Sequence, residues 1–191
     1  MSVVEGPGGN ALVERVRLLL TQPTRAWEVI DGEATTVRDL YLGYACILAA
    51  IGPVAGLIGR VVFQFAVFGL MNAVADAIIA YALNLALVFV VAMITDAMAP
   101  SFGGQKSQVQ AFKAIIYGCT AAWVGGIAAI VPELARVGTV LGVLYSLYLL
   151  WRGAPKLMKV PEDKALGFTF GVLLAFIVSR IVLEAVADVV F

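Results

Sequence analysis

Four polar side chains stand inside apolar stretches of this sequence, and they are the first candidates for chemistry. Asn84 lies in the middle of the uncharged run 77–95, and Arg180, Glu184 and Asp188 follow each other at one-turn intervals in the last apolar stretch. Polar and ionisable groups at membrane depth are costly and mark helix contacts, gates or ion sites. We predict that Asn84 joins two helices by a hydrogen bond worth about 1 kcal/mol. The other three predict a charge cluster near the outer surface, with a gate or ion site as the alternative.

The residue types exclude several classes of catalytic site. The chain has no histidine, which removes His-based acid–base catalysis, Ser-His triads and most zinc sites. No phosphate-binding glycine loop, paired carboxylate site or nucleophile elbow is visible. Cys46 and Cys119 both lie in apolar runs and are interpreted as unpaired small hydrophobic residues. We therefore predict a non-enzymatic protein without metal or cofactor, and nothing in its net charge of zero indicates a nucleic-acid partner.

The composition predicts that these side chains are held by membrane-spanning helices. Hydrophobic residues make up 62% of the 191 residues and charged residues 14%, whereas a soluble domain carries about 25% charged residues. The mean hydropathy of +0.97 is typical of a polytopic membrane protein. We predict an all-α fold, a bundle of five transmembrane helices. Residues 1–39 form an N-terminal segment with short amphipathic helices, and residues 40–191 form the transmembrane domain.

Five apolar stretches are long enough, or nearly so, to cross a bilayer core of about 30 Å. These predicted spans are residues 40–59, 77–95, 114–132, 137–151 and 165–191. The uncharged segment 61–75 is too short to span unaided, and it is either interfacial, partly re-entrant or an extension of the flanking helices. Residues 152–164 are interpreted as a basic loop. Tyr41 and Tyr44, at the start of the first span, suit a headgroup boundary.

Lysine and arginine predict the orientation of the spans. With five spans, the N-terminal segment and the second-to-third and fourth-to-fifth connections share one side and carry ten cations. The opposite side carries three, namely Arg60, Arg136 and Arg180. The positive-inside rule then predicts a multi-pass protein of the cell membrane, typical of a bacterial inner membrane, with its N-terminus in the cytosol and its C-terminus outside.

Glycines recur four residues apart in three of the predicted spans. The pairs are Gly52 with Gly56, Gly138 with Gly142, and Gly167 with Gly171. Such spacing lets helices approach closely in an apolar environment. It predicts tight crossings within the bundle or in a homodimer, and it does not choose between the two.

Two short motifs make the chain resemble a known family, the Yip or Ypt/Rab-interacting membrane proteins, in its bacterial form. Asp39, Leu40 and Tyr41 match the Asp-Leu-Tyr motif that opens the first span in that family. In the third span, Tyr117, Gly118 and Thr120 fall on a Tyr-Gly-Tyr-Ser motif, two of whose four positions are identical here. Residues 18–30 and 145–158 also resemble bacterial members, so that the resemblance covers about residues 12–185.

The resemblance implies five spans, a cytosolic N-terminus and an outside C-terminus. Eukaryotic members of the Yip family are implicated in vesicle trafficking through Rab GTPases. This chain does not carry their long N-terminal tail, so we do not expect it to bind a GTPase. The expected partners are membrane lipids, together with a homo-oligomer or another membrane protein.

We therefore expect a non-enzymatic bundle that acts in membrane organisation, in trafficking-like partner recruitment or by lipid interaction. As a hypothesis, Asp39 and Tyr41 of the first span meet Tyr117 of the third, with Gly118 allowing the helices to touch. The rival function is a small transporter, channel or lipid scramblase, which needs a continuous polar line through the bundle. An assembly factor for a larger membrane complex is a third alternative.

Overall fold

The computed structural model describes residues 9–63 and 69–190 of the chain. Within those residues the protein is all-α, without a strand, and five helices are long and apolar enough to cross a membrane. This confirms the predicted fold class. The five spans are Val37–Phe63, Leu70–Phe102, Gln108–Ile130, Pro132–Leu157 and Glu162–Val190.

Two short helices precede the spans and pack beneath the bundle. They are α1, Gly9–Thr21, and α2, Pro23–Gly32, which begins with a proline at its first turn. Trp27 of α2 is 1% exposed and lies against Gly153 of the fourth span, where a side chain would collide with its ring. Because the indole is enclosed by protein, α2 docks on the spans with the amphipathic face that its sequence predicted.

Because the five spans alternate in direction, their connections fall into two groups, one at each end of the bundle. The N-terminal helices meet the second-to-third and fourth-to-fifth connections, since Lys159 pairs with Asp31 at 2.6 Å and the Gln105 amide donates to the Met158 carbonyl. We call this the Lys-rich end, and the opposite end, where spans one and two and spans three and four are connected, the distal end. The grouping is the one that the cation count predicted.

The structure decides between the alternatives for one predicted segment and changes the bounds of another. Within residues 61–75, Val61 to Phe63 continue span one and span two begins at Leu70, which is the predicted alternative of helix extensions; residues 64–68 lie outside the described residues. Span four begins at Pro132, before its predicted start at residue 137. It also continues to Leu157, so the prediction of a basic loop over residues 152–164 was wrong for its first half. Long cationic side chains remain at a helix end while their stems cover apolar surface, and charge alone therefore does not end a span.

Span three is the central helix of the bundle. Over its most apolar window 56% of its residues are buried, against 17–22% for the other four spans. Near the Lys-rich end, Gln108–Gly118 packs between spans two and four. Towards the distal end the same span ends in a 3-10 turn, Gly126–Ile130, which packs against spans one and four. The helix therefore moves from the centre of the bundle to its periphery.

Close glycine contacts make that change of position possible. A side chain at Gly142 of span four would come within 2.7 Å of the Ala121 carbonyl, and one at Gly126 within 2.9 Å of Gly52 in span one. Gly171 of span five faces Met98 of span two in the same way. The glycine spacing thus serves crossings inside one bundle, which was one of the two predicted uses.

Candidate functional site

Asp39, the first residue of the Asp-Leu-Tyr motif, starts span one. The backbone N–H of Asp39 donates to the Thr36 hydroxyl at 3.2 Å, and that hydroxyl donates to the Asp39 carboxylate at 2.6 Å. This pairing satisfies amides that the first turn of a helix leaves without partners, and the carboxylate favours the positive end of the helix dipole. Thr36 is therefore the N-cap of span one, and the exposed Asp39 carboxylate pairs with that cap and is not placed against span three.

Tyr41 anchors span one to span two. Its hydroxyl donates to the Leu85 carbonyl at 3.0 Å, and its ring packs edge-on against Phe89 and Phe112. The preceding Leu40 is buried in the core. Span one is π-helical from Tyr41 to Ala45, with the Cys46 amide donating to the Tyr41 carbonyl, and such single-turn π segments recur at functional sites.

Tyr44 makes the contact with span three that was expected of Tyr41. The hydroxyls of Tyr44 and Thr120 lie 2.8 Å apart, and the Thr120 hydroxyl also donates to the Tyr117 carbonyl at 2.7 Å. The rings of Tyr44 and Tyr117 meet edge-on with centroids 4.7 Å apart. We call Tyr41, Tyr44, Tyr117 and Thr120 the motif layer. Its two span-one tyrosines satisfy their hydroxyls within the protein. Their placement at a headgroup boundary stays a prediction.

Gly118 faces span four, which corrects the hypothesis that it brings spans one and three together. A side chain there would collide with Leu150, which is 3% exposed. The motif glycine therefore allows span four to approach span three directly beside the motif layer.

A buried cluster of charges connects the N-terminal helices to the motif layer. Arg15 of α1 makes a bidentate ion pair with Glu33, both distances being 2.8 Å, and its guanidinium lies 5.6 Å from the centre of the Tyr117 ring. Lys113 of span three is 2% exposed and donates to the carbonyls of Ile30 and Glu33 at 2.8 and 2.5 Å. Sequence analysis placed Lys113 only as a topology signal. Its position just before the third predicted span, 114–132, gave no indication that its side chain turns back onto α2.

The displacement of span three leaves a cavity of about 760 Å³ in the distal half of the bundle. All five spans line it, and small residues on them supply much of its width: Gly52, Gly56, Ala77, Ala80, Ala122 and Gly126. Most of the remaining wall is also apolar, with leucine the commonest residue. We call this space the central cavity. The motif layer and the buried residues around it fill the bundle on the Lys-rich side.

Asn84 lies at the wall of the central cavity and is hydrogen-bonded there. The Trp123 indole N–H donates to its side-chain oxygen at 3.3 Å, linking spans two and three as expected of a mid-span asparagine. Ser146, also on the wall, accepts from the Ala122 amide at 2.9 Å and links spans three and four. These two links fix the wall without giving it a charge.

Charged residues line the cavity only towards the distal end. Arg60 of span one pairs with Asp76 of span two at 2.9 Å, and Arg180 pairs with Glu184 along span five at 2.8 Å. We call these four the rim charges. The side chain of Asp188, the third member of the predicted cluster, lies outside the described residues. Among the described residues no group of three or more His, Cys, Asp or Glu could hold a metal ion.

Comparison with known proteins places this arrangement in a family. The Yip1 domain matches residues 17–183, which include α2, the motif layer, the first four spans and most of the fifth. The chain belongs to the Yip1 domain family. It is similar to the inner membrane protein YohC of Escherichia coli strain K12, with 26% identity over 165 residues that cover 81% of this chain and 84% of YohC. The YohC protein of Escherichia coli O6:H1 is similar to the same extent. No solved structure matches the chain.

The family assignment gives the motif residues of this Yip1-domain chain a structural meaning. Asp39 begins span one, Tyr41 fastens it to span two, and Tyr117 with Thr120 fastens span three to Tyr44. The motifs therefore hold the bundle together on the Lys-rich side of the central cavity.

Proposed function

We propose that this protein is a non-enzymatic lipid-binding protein of a bacterial inner membrane, and that it holds a phospholipid acyl chain in the central cavity. Its relative YohC is described as an inner membrane protein, which supports the location. The positive-inside rule supports a cytosolic Lys-rich end. The observation that carries the lipid assignment is the cavity itself, surrounded by five spans and lined mostly by apolar side chains.

The volume of the cavity supports an occupied state. Ligand sites in proteins typically measure about 300–1,000 Å³, a range that includes the 760 Å³ found here. The cavity is also partly open at the surface of the bundle, so an acyl chain is able to enter it from the bilayer. An apolar wall favours hydrocarbon over water, as engineered apolar cavities that take up benzene also show.

The position of the polar groups supports an acyl chain with its headgroup at the distal end. Arg60 lies one turn before the described end of span one, and Asp76 lies near the start of span two. Charges at these depths reach the headgroup region. Deeper in the cavity, the polar wall residues Asn84 and Ser146 make hydrogen bonds within the protein. The charged groups that a headgroup could bind therefore lie at the distal rim.

A passage through the bundle is less well supported than a binding site. At its inner limit the cavity meets Val88, Cys119 and Leu150, which are all buried. Beyond them the motif layer and Phe112 fill the space between the spans. The transporter, channel or scramblase alternative requires a polar path, and this half of the bundle offers packed aromatic rings instead.

Photolabelling with a phospholipid that carries a diazirine at the end of one acyl chain tests the proposal in nanodiscs. Trp123 is 5% exposed and lines the cavity, so its segment of span three should be labelled only by a chain inside the bundle. Gly56→Leu fills the cavity at a position with open space around a Cβ, and it should remove that labelling. Gly43→Leu, where a Cβ also meets nothing, lies outside the cavity and should leave labelling unchanged.

Absence of label on the Trp123 segment in the wild-type protein would refute acyl-chain binding, as would equal labelling in Gly56→Leu. Rapid lipid exchange between leaflets of proteoliposomes that is abolished by Gly56→Leu would favour the scramblase alternative. Such transport would require the packed Lys-rich half to open.

A further inference from the structure

The rim charges include equal numbers of positive and negative groups, and this composition indicates which lipid headgroup they would bind. Among the described residues, two guanidinium groups and two carboxylates line the distal part of the central cavity, and their formal charges cancel. They come from three spans, with Arg60 on span one, Asp76 on span two, and Arg180 and Glu184 on span five. Spans one and five both pack against span two, which brings the three helices together along one side of the cavity.

The pairing within the rim leaves its groups accessible. The side chains of Arg60 and Asp76 are 46% and 62% exposed, and those of Arg180 and Glu184 are 69% and 52% exposed. Exposed ion pairs contribute little to stability, and an arginine preceding a glutamate by four residues is the weaker orientation on a helix. A ligand that offers each group a partner can therefore share or replace these contacts at small cost.

We infer that the rim charges recognise the headgroup of a zwitterionic phospholipid with a primary ammonium group, such as phosphatidylethanolamine. This inference rests on the proposed acyl-chain site, which places the headgroup beside the rim. Guanidinium groups bind phosphate oxygens through paired N–H donors, and carboxylates accept N–H donors from an ammonium. A purely anionic headgroup would satisfy the arginines but would bring its charge close to Asp76 and Glu184.

The carboxylates also distinguish two kinds of zwitterion. A primary ammonium presents three N–H donors, which Asp76 and Glu184 are able to accept. A quaternary ammonium presents none, and proteins recognise it mainly through the faces of aromatic rings. Carboxylates in the rim therefore favour ethanolamine over choline at equal acyl chains.

Native mass spectrometry of the full chain tests the inference after equilibration with equimolar phosphatidylethanolamine, phosphatidylglycerol and phosphatidylcholine of identical acyl chains. We expect phosphatidylethanolamine to be retained about fivefold more than either competitor, a factor that corresponds to about 1 kcal/mol. Asp76→Asn with Glu184→Gln should reverse the preference towards phosphatidylglycerol. Arg60→Gln with Arg180→Gln should lower the retention of all three lipids, because their shared phosphate loses its donors, while the remaining carboxylates keep phosphatidylethanolamine ahead of both competitors.

Glu133→Gln with Arg136→Gln is the matched control, because it removes an acid and a base near the distal start of span four that do not line the cavity. It should preserve the preference. Equal retention of the three lipids in the wild-type protein, or a preference unchanged in Asp76→Asn with Glu184→Gln, would overturn the headgroup inference. If the wild-type protein retains the three lipids equally and Gly56→Leu retains none of them, the acyl-chain site is supported and headgroup recognition is not. Retention that Gly56→Leu does not reduce would overturn the proposed function itself.

Discussion

Replacing Lys113 with methionine should release α2 from the bundle. The ammonium is 2% exposed and donates to the Ile30 carbonyl at 2.8 Å and to the Glu33 carbonyl at 2.5 Å. Both carbonyls belong to the last turn of α2 or the residues just after it, and the Ile30 carbonyl otherwise accepts only a long contact of 3.4 Å from the Glu33 amide. Methionine has a side chain of similar length without a donor, so it leaves both carbonyls without this partner.

The expected magnitude follows from these two contacts. A buried acceptor that loses its partner costs about 1–3 kcal/mol, so Lys113→Met should lower the free energy of undocking α2 by about 2–6 kcal/mol. Even the lower figure corresponds to roughly 30-fold more frequent opening, since each 1.4 kcal/mol is a factor of ten. The ion pair of Arg15 with Glu33 remains in the variant and should keep α1 associated with the segment after α2.

Hydrogen–deuterium exchange of nanodisc samples, followed by mass spectrometry, measures this opening directly. Peptides that cover residues 23–32 should exchange at least about 30-fold faster in Lys113→Met, whereas peptides from span five should not change. Lys106→Met is the control, because Lys106 is an exposed lysine in the connection just before span three. Exchange of residues 23–32 that matches the wild type and Lys106→Met would show that Lys113 does not hold α2, and the reasoning from its two hydrogen bonds would then be wrong.

Three further substitutions test other parts of the packing, each by the unfolding free energy in mixed detergent micelles. Trp27→Ala removes a ring that is 1% exposed and should cost about 3–5 kcal/mol; a loss below 1 kcal/mol would contradict its place in the core. Tyr44→Phe removes the hydroxyl that meets Thr120 and should cost only about 0.6 kcal/mol, the average for hydrogen bonds between membrane helices, and a gain in stability would refute the bond. Gly118→Val should cost about 1–3 kcal/mol by colliding with Leu150, and adding Leu150→Ala should recover part of that loss; no recovery would show that the two sites are not in contact.

The spans can be predicted well from the sequence because the bilayer imposes one strong requirement on the backbone. Every backbone group in hydrocarbon must be hydrogen-bonded within the protein, so each long apolar stretch becomes a helix. Hydropathy therefore predicted five spans, and the cation count predicted which connections share an end. The boundaries were less accurate, as span four shows, because the end of a helix depends on local packing rather than on the first charge.

The candidate site was only partly predictable. Tyr41, Tyr117 and Thr120 of the two family motifs do lie in one layer, yet their partners differ from those expected. Asp39 pairs with Thr36, the N-cap of its own helix, Tyr44 replaces Tyr41 as the partner of Tyr117, and Gly118 faces span four. These partners depend on how each helix is rotated about its axis and on its depth. Residues one turn apart on a helix share a face, so the sequence does not tell which of them meets a given partner.

The central cavity is the feature that the sequence predicted least. Glycine and alanine positions along the sequence indicate that helices approach closely, but not whether the space beside them is closed by a neighbour or left open. Gly126 contacts span one, whereas Gly56 faces open space in the same cavity wall.

The amino-acid sequence by itself determined the membrane class, the five spans and their alternation, because these follow from the transfer of apolar side chains and charges between water and lipid. The tertiary structure alone decided that span three moves from the centre to the periphery of the bundle. That displacement arises from glycine contacts between spans far apart in the chain, and it sets both the packed motif layer at one end and the cavity at the other.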